Sequence, residues 1–420
     1  MSTPLLRPVL PEACTLERRS PIDRGTCVEV ARILEDIEAR GEPAVREHAA
    51  RLGDLEIGRA CVHDRAALDA ARDRLSPRER DAMERAGARI RAFARLQRDC
   101  IRDLDASIEG GRAGHTCIPV NCAGCYAPGG RFPLPSSVLM TAITARAAGV
   151  EVVWIASPRP TDATLAAASI AGADGLLALG GAQAIAAMAL GLCGVPACDM
   201  IVGPGNRWVT AAKFLLSDRV GIDMLAGPSE LVVLADDSAD PALVAADLLA
   251  QAEHDEDALP ILISTDATLP GRVDEHLSGM LVSLPTRATA QAALRNGFSV
   301  VVRDIDRAIE LCDAIAPEHL EIMTRDASRT AARVRNAGAV FVGSASAEVL
   351  GDYGAGPNHV LPTGGTARSR AGLSVFSFLR PRTWLDIQAR TPSVRLSQDA
   401  QTLARVEGLE AHARAAGLRM

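Results

Sequence analysis

The chain has 420 residues, of which 48% are hydrophobic and 23% charged, and its formal net charge is −7. That length predicts two or three domains, and the balance is that of an ordinary soluble protein. The negative charge and the lack of a basic block argue against a nucleic-acid partner, and the lack of any apolar run of about 18 residues argues against a membrane span.

The opening residues, MSTPLLRPVLPEACTLERRS, lack the cationic and then apolar pattern of a signal peptide, so a cytoplasmic location is expected. The ten cysteines are then expected to be reduced. Aromatic residues are only 3%, so helices built on Ala and Leu must fill most of the core.

Residues 22–105 read as helical. IDRGTCVEVARILEDIEARGEPAVREHAARLG carries apolar positions at helical spacing, broken at Gly41-Glu42-Pro43. ALDAARDRLSPRERDAMERAGARIRAFARLQRD continues in that style, with Ser76-Pro77 as cap and first turn. The period then changes. VEVVWIASP (150–158), GLLALGG (175–181) and DMIVGPG (199–205) predict short buried strands, separated by the helical segments TDATLAAASIAGA, AQAIAAMALGL and NRWVTAAKFLL. A second series, ELVVLADD (230–237), PILISTD (260–266), FSVVVRDID (298–306) and AVFVG (339–343), alternates with helices in the same way. This alternation implies parallel sheets with crossover helices, hence an α/β chain of two units with an all-helical N-terminus and a C-terminal segment attached.

Several segments carry groups suited to chemistry. Cys122 and Cys125 form one CxxC, but no second cysteine pair or nearby histidine completes a zinc set. The pair precedes a Gly-Pro loop, where a thioredoxin-like motif needs a strand and a helix start, so buried thiols are expected. Three glycine-rich loops, CYAPGGRFPLPSS, GLLALGG and DMIVGPGN, open onto helices. Glycine admits close backbone approach, helix N-termini favour anions, and ligands of open α/β sheets sit at the carboxyl ends of strands. A dinucleotide pyrophosphate fits such loops. So do tight βα turns, since no GxGxxG is present.

Gln251 and His254 sit three residues apart in DPALVAADLLAQAEHDED, a spacing that puts both on one helical face. Asp352 and His359 fall in GDYGAGPNHVLPTGG, a turn-rich loop without periodicity, and His412 follows Glu407 in the terminal helix VEGLEAHARAAGLRM. Imidazole and carboxylate suit zinc, so groups able to hold a divalent metal recur in three segments. The alternative is packing histidines and a surface connection. In APEHLEIMTRD (316–326), Glu318 and His319 follow a proline directly. They can serve as general base and water activator in a cleft. They can equally open a helix, with Glu318 on the positive end of its dipole.

Together these stretches resemble the histidinol dehydrogenase family. YAPGG, GGAQAIAA, IVGPGN, GIDMLAGPSE, LLAQAEHD, PEHLEI, GDYGAGPNHVLPT, GLSV and EGLEAHA occur in the family's order from about residue 15 to the end. The resemblance implies two Rossmann-like, incomplete parallel-sheet domains with a helical N-terminal part and a small C-terminal helical extension. Residues 1–120 with 235–365 would form the first domain and 121–234 the second, carrying the NAD loops. Residues 366–420 would reach the partner subunit of an intertwined homodimer.

The activity implied is NAD-dependent, zinc-dependent four-electron oxidation of L-histidinol to L-histidine through the aldehyde, the last steps of histidine biosynthesis, with one zinc per active site. Zinc ligation falls on Gln251, His254, Asp352 and His412, and base catalysis on Glu318 and His319. Substrate contacts fall on Ser229, His359 and Glu407, besides the zinc ligands and His319. Cofactor contacts fall on Tyr126, Gln183 and Asn206. His412 and Glu407 would act in trans. Two stretches depart from the family pattern, RFPLPSS after YAPGG and FSFLRPRTW after GLSV. A paralogue oxidising another amino alcohol or a sulfonated diol is the alternative substrate reading, and a non-catalytic binding paralogue the alternative class.

Overall fold

The computed structural model describes residues 4–14, 22–55, 60–129, 133–388 and 390–419. Its N-terminal part carries β1 (Arg7–Val9), α1 (Arg24–Arg40), α2 (Glu42–Arg51), β2 (Val62–Asp64), α3 (Arg65–Arg74), α4 (Pro77–Asp99), β3 (Leu104–Ile108) and β4 (Gly111–Pro119). Gly41, at φ 67°, separates α1 from α2, and Pro43 sits in the first turn of α2. A full capping box opens α4: Ser76 Oγ accepts from Glu79 N at 3.3 Å, and the Glu79 carboxylate accepts from Ser76 N at 3.1 Å. This part is not all helical, as the sequence suggested. β1 and β2 add to the edges of two different sheets, and β3 and β4 pair as antiparallel neighbours.

The first large sheet is built from β5 (Cys122–Tyr126), α5 (Pro135–Ala148), β6 (Val152–Ala156), α6 (Asp162–Ala171), β7 (Gly175–Leu177), α7 (Gly181–Leu190), β8 (Met200–Val202), α8 (Arg207–Leu215) and β9 (Gly221–Ile222). Its order is β2-β7-β6-β5-β8-β9, parallel except for β2. The CxxC lies in a buried strand that leads into the Gly-Pro loop, and both thiols are free and buried, as expected. Its residues are small because α7 lies close: a Cβ on Gly124 would sit 2.7 Å from Met188 Sδ.

A parallel sheet needs cover on both faces, and α1–α4 supply much of it here. Val30, Leu34 and Ile37 share a core with Leu177, Ile185 and Ile201, while Leu68 and Ile90 share one with Ile143 and Ile155. Each fully buried residue of this kind stabilises by about 1.5–3 kcal/mol. This packing corrects the expected grouping of 1–120 with 235–365, since residues 24–99 cover the sheet of 121–222.

The second sheet is built from β10 (Glu230–Ala235), α9 (Pro241–Ala252), β11 (Leu259–Ser264), α10 (Leu269–Leu281), α11 (Arg287–Asn296), β12 (Phe298–Val301), α12 (Ile305–Ile315), β13 (His319–Met323), α13 (Ala327–Ala331) and β14 (Ala339–Val342). Its order, β1-β12-β11-β10-β13-β14, is parallel throughout. It begins at Glu230, inside 121–234, the range the resemblance implied for the other domain. PEHLEI is not a helix N-terminus. α12 ends on Ala316, which is left-handed at φ 52°, and Pro317 carries the chain into the sheet. His319 then lies between Leu231 and Ala339.

The C-terminal part holds α14 (Glu348–Asp352), short 3-10 turns at Thr366–Arg368 and Val375–Phe378, β15 (Leu379–Ile387), α15 (Arg390–Val406) and α16 (Glu410–Gly417). The extension is thus not purely helical, because β15 pairs with β4 along its full length in a sheet of order β15-β4-β3. FSFLRPRTW forms the second 3-10 turn and the start of that strand. Arg131 and Phe132 of the other departing stretch lie outside the described residues. No described helix is long and apolar enough to cross a membrane.

Candidate active site

The loop from Gly351 to Gly365 ties the two sheets together. Asn358 Nδ2 donates to Met140 O at 2.8 Å and to Thr144 Oγ1 at 3.1 Å, which fixes the loop to α5. At its other end Gly364 N donates to Glu230 Oε1 at 3.0 Å, on β10. Between these anchors His359 is held by two contacts. Its Nδ1 lies 3.1 Å from Asp352 O, and its Nε2 lies 3.3 Å from Ser137 Oγ. Gly354 is required where the loop meets α4: its φ is 87°, and a Cβ would come within 2.8 Å of Ala86 Cβ.

Glu318 and His319 stand at the amino end of β13, beside β10. Glu318 Oε2 accepts from Ser229 Oγ at 2.6 Å and from Glu230 N at 3.0 Å. Burial pushes the Glu318 carboxyl up to about 8, against the pull of those two donors. His319 Nδ1 lies 3.1 Å from Glu230 O, and its Nε2 lies 3.5 Å from Glu348 Oε1. Burial pushes His319 down to about 4, so its ring is neutral. The left-handed Ala316, fully buried, sits two residues before Glu318. Backbone strain of that kind concentrates at functional sites.

Next to this pair, ligand atoms of His254, Glu348 and Asp352 all lie within 4.8 Å of one another. His254 Nε2 is 3.5 Å from Asp352 Oδ2. Burial raises the Asp352 carboxyl, but the nearby His359, His319 and His254 outweigh it, and the net effect is a lowered proton affinity. Gln251 is fully buried in the last turn of α9, and neither its Oε1 nor its Nε2 has a hydrogen-bond partner. An orphaned buried amide one turn before His254, whose imidazole stands by two carboxylates, fits a bound cation.

His254 does not share a helical face with Gln251, as the spacing suggested. α9 ends at Ala252, and His254 N donates to Gln251 O in the turn that follows. His412 and Glu407 are exposed, and neither belongs to this group within one chain. His412 lies on α16 and Glu407 in the turn between α15 and α16, not on one terminal helix, and these two helices pack chiefly on each other.

The three residues expected to meet the cofactor lie at the carboxyl edge of the first sheet. Its strand order reverses between β5 and β8, the place where such sheets bind ligands. Tyr126 OH accepts from Gly181 N at 3.3 Å. Gln183 is buried, donates from Nε2 to Asp54 Oδ2 at 3.4 Å, and leaves Oε1 without a partner. Asn206 Oδ1 caps α8 through Trp208 N and Val209 N at 3.1 and 3.2 Å. Gly203, at φ 111°, packs on Tyr126, where a Cβ would fall 2.1 Å from its carbonyl oxygen. Bare backbone and an unpaired amide at a switch point fit a dinucleotide.

A crevice of about 370 Å³ opens on His319, Asp352 and His359, with Phe341 and Leu350 on its apolar side. That volume suits a small ligand. Sequence reasoning missed Glu348, Glu230 and Ser137. Glu348 had a usable signal, since it precedes Asp352 by one helical turn in SAEVLGDYG. Glu230 and Ser137 are brought in only by tertiary packing.

The chain matches a family profile described as histidinol dehydrogenase over residues 17–420. It is 43% identical over 409 residues to the histidinol dehydrogenase of Ralstonia nicotianae, covering 95% of this chain and 91% of that one. It is 44% identical over 392 residues to that of Cereibacter sphaeroides, covering 91% and 89%. The crystal structure of histidinol dehydrogenase from Elizabethkingia anophelis superposes with a TM-score of 0.92 at 30% identity, covering 100% of this chain and 99% of that one. With its fold, its Glu318–His319 pair and its adjoining His254–Glu348–Asp352 group, the chain belongs to the histidinol dehydrogenase family.

Proposed function

We propose that the protein oxidises L-histidinol to L-histidine through the aldehyde, with NAD as electron acceptor and one zinc per active site, as a homodimer. The observation that carries this reading is the contact of the buried Glu318–His319 pair with the His254–Glu348–Asp352 group, through His319 Nε2 at 3.5 Å from Glu348 Oε1, beside a crevice lined by His319 and Asp352 in a family member. Zinc held by Gln251, His254, Asp352 and His412 of the partner subunit would orient the substrate's amine and imidazole as a template. NAD held near Tyr126, Gln183 and Asn206 would accept hydride twice.

The chain's own residues handle the protons. His319 Nδ1 faces a carbonyl oxygen, which can only accept, so the ring proton sits there and Nε2 is the basic atom. A neutral Nε2 takes the alcohol proton as hydride leaves the carbon. Glu318 Oε2 is engaged by two donors, so Oε1 is the atom left to take a proton from water. The water adds to the aldehyde, and the hydrate loses a second proton and hydride to give the acid. Retaining the aldehyde between the two steps protects it from side reactions.

The dimer is supported by the terminal arm. α15 and α16 stand largely apart from the rest of the chain, and Leu403, Val406, Leu409 and Leu418 are exposed on them. Such apolar exposure marks an interaction surface. The direct test is turnover of L-histidinol by zinc-loaded protein. Two NADH per substrate, with histidine as product, is the expected result; no NADH from zinc-loaded protein contradicts histidinol as substrate.

A further inference from the structure

We infer that Glu230 is a positioning residue for both proton-transfer steps: its side chain clamps the end of the Gly351–Gly365 loop to β10, while its backbone holds Glu318 and His319. The inference rests on the roles proposed for those two residues and adds what keeps them in place.

The hydrogen bonds that fix the two bases come from adjacent residues. Ser229 Oγ and Glu230 N donate to Glu318 Oε2 at 2.6 and 3.0 Å. His319 Nδ1 donates to Glu230 O at 3.1 Å. Main-chain atoms of Glu230 thus serve both bases, one by donating and one by accepting. The placement of this segment depends on its neighbours. Toward β11 the ladder includes it, since Glu230 pairs with Leu259, and Leu259 N donates to Ser229 O at 2.9 Å. Toward β13 the ladder starts only at Leu231 and His319. Here the loop supplies the hold. Gly364 N donates to Glu230 Oε1 at 3.0 Å, and Gly227 N donates to Thr363 Oγ1 at 2.6 Å. The loop end also packs beside Glu318: a Cβ on Gly338 would fall 2.5 Å from Glu318 O and 3.2 Å from Pro362 Cδ.

The side chain of Glu230 is an expensive way to make one bond. The residue is 8% exposed. Its Oε1 has the Gly364 contact, and its Oε2 has no hydrogen-bond partner among the described residues. An unpaired buried polar atom costs stability, and local violations of that kind concentrate at functional sites. Burial first and Glu318 second push the Glu230 carboxyl up to about 7, so a neutral side chain of the same length fits the position. What the clamp needs is an acceptor at the reach of a glutamate. Without it the loop end and the 227–230 segment lose their tie on the side where no ladder replaces it, and both bases shift with that segment.

The test is single-turnover oxidation of L-histidinol by zinc-loaded wild type, Glu230→Gln, Glu230→Asp and Glu230→Ala, which separates length from charge. Glu230→Gln keeps an acceptor at the same reach, and Glu230→Asp keeps the charge but falls one methylene short of Gly364. Glu230→Asp and Glu230→Ala should slow both NADH-forming steps by about a hundredfold, the cost of roughly 1 Å of misplacement, with KM for histidinol and NAD little changed in steady state. Glu230→Gln should recover most of the rate. A folding defect lowers the amount of NADH formed and leaves the rate constants intact, so rate and amplitude tell the two apart. Glu230→Asp at the wild-type rate with Glu230→Gln slow, or no slowing in any variant, overturns the inference and leaves the proposed function standing. No NADH from the wild type strikes the proposed function instead. Amide hydrogen exchange then decides the clamp alone. The Gly364 amide should exchange about tenfold faster in Glu230→Asp and Glu230→Ala than in wild type and Glu230→Gln, as the loss of one net hydrogen bond requires. Equal exchange in all four overturns it.

Discussion

Glu318 and His319 are neighbours in the chain, yet burial moves their proton affinities apart, because it penalises whichever form carries charge. Separation of this kind assigns distinct roles to adjacent groups. The Ser229 hydroxyl opposes the shift on Glu318 by hydrogen-bonding the carboxylate form. A base must be ionised to work, so aldehyde oxidation should rise with pH as Glu318 loses its proton. Ser229→Ala removes a donor to the charged form and should move that rising limb to higher pH. A hydrogen bond to a charged group contributes about 1.5–3 kcal/mol, or roughly one to two pH units. A limb that stays in place, or moves down, contradicts the assignment.

At this scale the sequence was informative wherever a motif was specific. PEHLEI and GDYGAGPNHVLPT named Glu318, His319, Asp352 and His359, and the structure brings the last three to one crevice with Glu318 next to His319. It was silent on Glu230, which holds His319 by its carbonyl and Gly364 by its carboxylate. Those contacts join residues 89 and 134 apart in the chain and leave no local pattern.

The elements that escaped sequence reading are the ones that matter most to the site. β5 and β13 are both interior strands, buried on both faces. One is made largely of small residues that α7 presses against, and the other carries His319 and Glu321 in a stretch read as a cleft pair or a helix start. Periodicity reports burial by contrast between faces, and neither strand has that contrast. The interior strands β6, β10 and β11 were legible because their apolar runs are unbroken.

The loop from β8 into α8 depends on a second kind of element-scale device. Lys213 Nζ donates to Gly203 O at 3.0 Å and pairs with the Asp223 carboxylate, whose Oδ2 accepts from Gly203 N at 2.7 Å. Both side chains are buried, at 3% and 1% exposure. Lys213→Met should leave Asp223 charged and unpaired in the interior, at a cost of roughly 3–5 kcal/mol. Urea unfolding measures this, and a loss under about 1 kcal/mol means the pair does not hold the loop. The same variant should raise KM for NAD more than KM for histidinol, because Gly203 backs onto Tyr126.

For the whole molecule, the packing explains why the domain grouping could not be read from chain order. Both sheets need cover, and helices from residues 24–99 could have served either one. Their apolar faces carry no label for a partner sheet, and only packing shows that they cover the first. The arm poses the same problem across subunits. His412 and Glu407 lie outside the site in a single chain. If they complete the site of the partner, mixing inactive His319→Ala and His412→Ala proteins should restore part of the activity, since one shared site per mixed dimer keeps both residues. No recovery after verified subunit exchange contradicts sharing.

The most direct test of the account is single-turnover oxidation of L-histidinol by zinc-loaded wild type and Glu318→Gln, with NADH and products followed together. The wild type should form two NADH and histidine. Glu318→Gln should form the first NADH at close to the wild-type rate and slow the second by about 10²–10⁴, the usual worth of a positioned general base, with the aldehyde retained. Equal slowing of both steps, or no slowing of either, would contradict the role given to Glu318 and with it the two-stage mechanism.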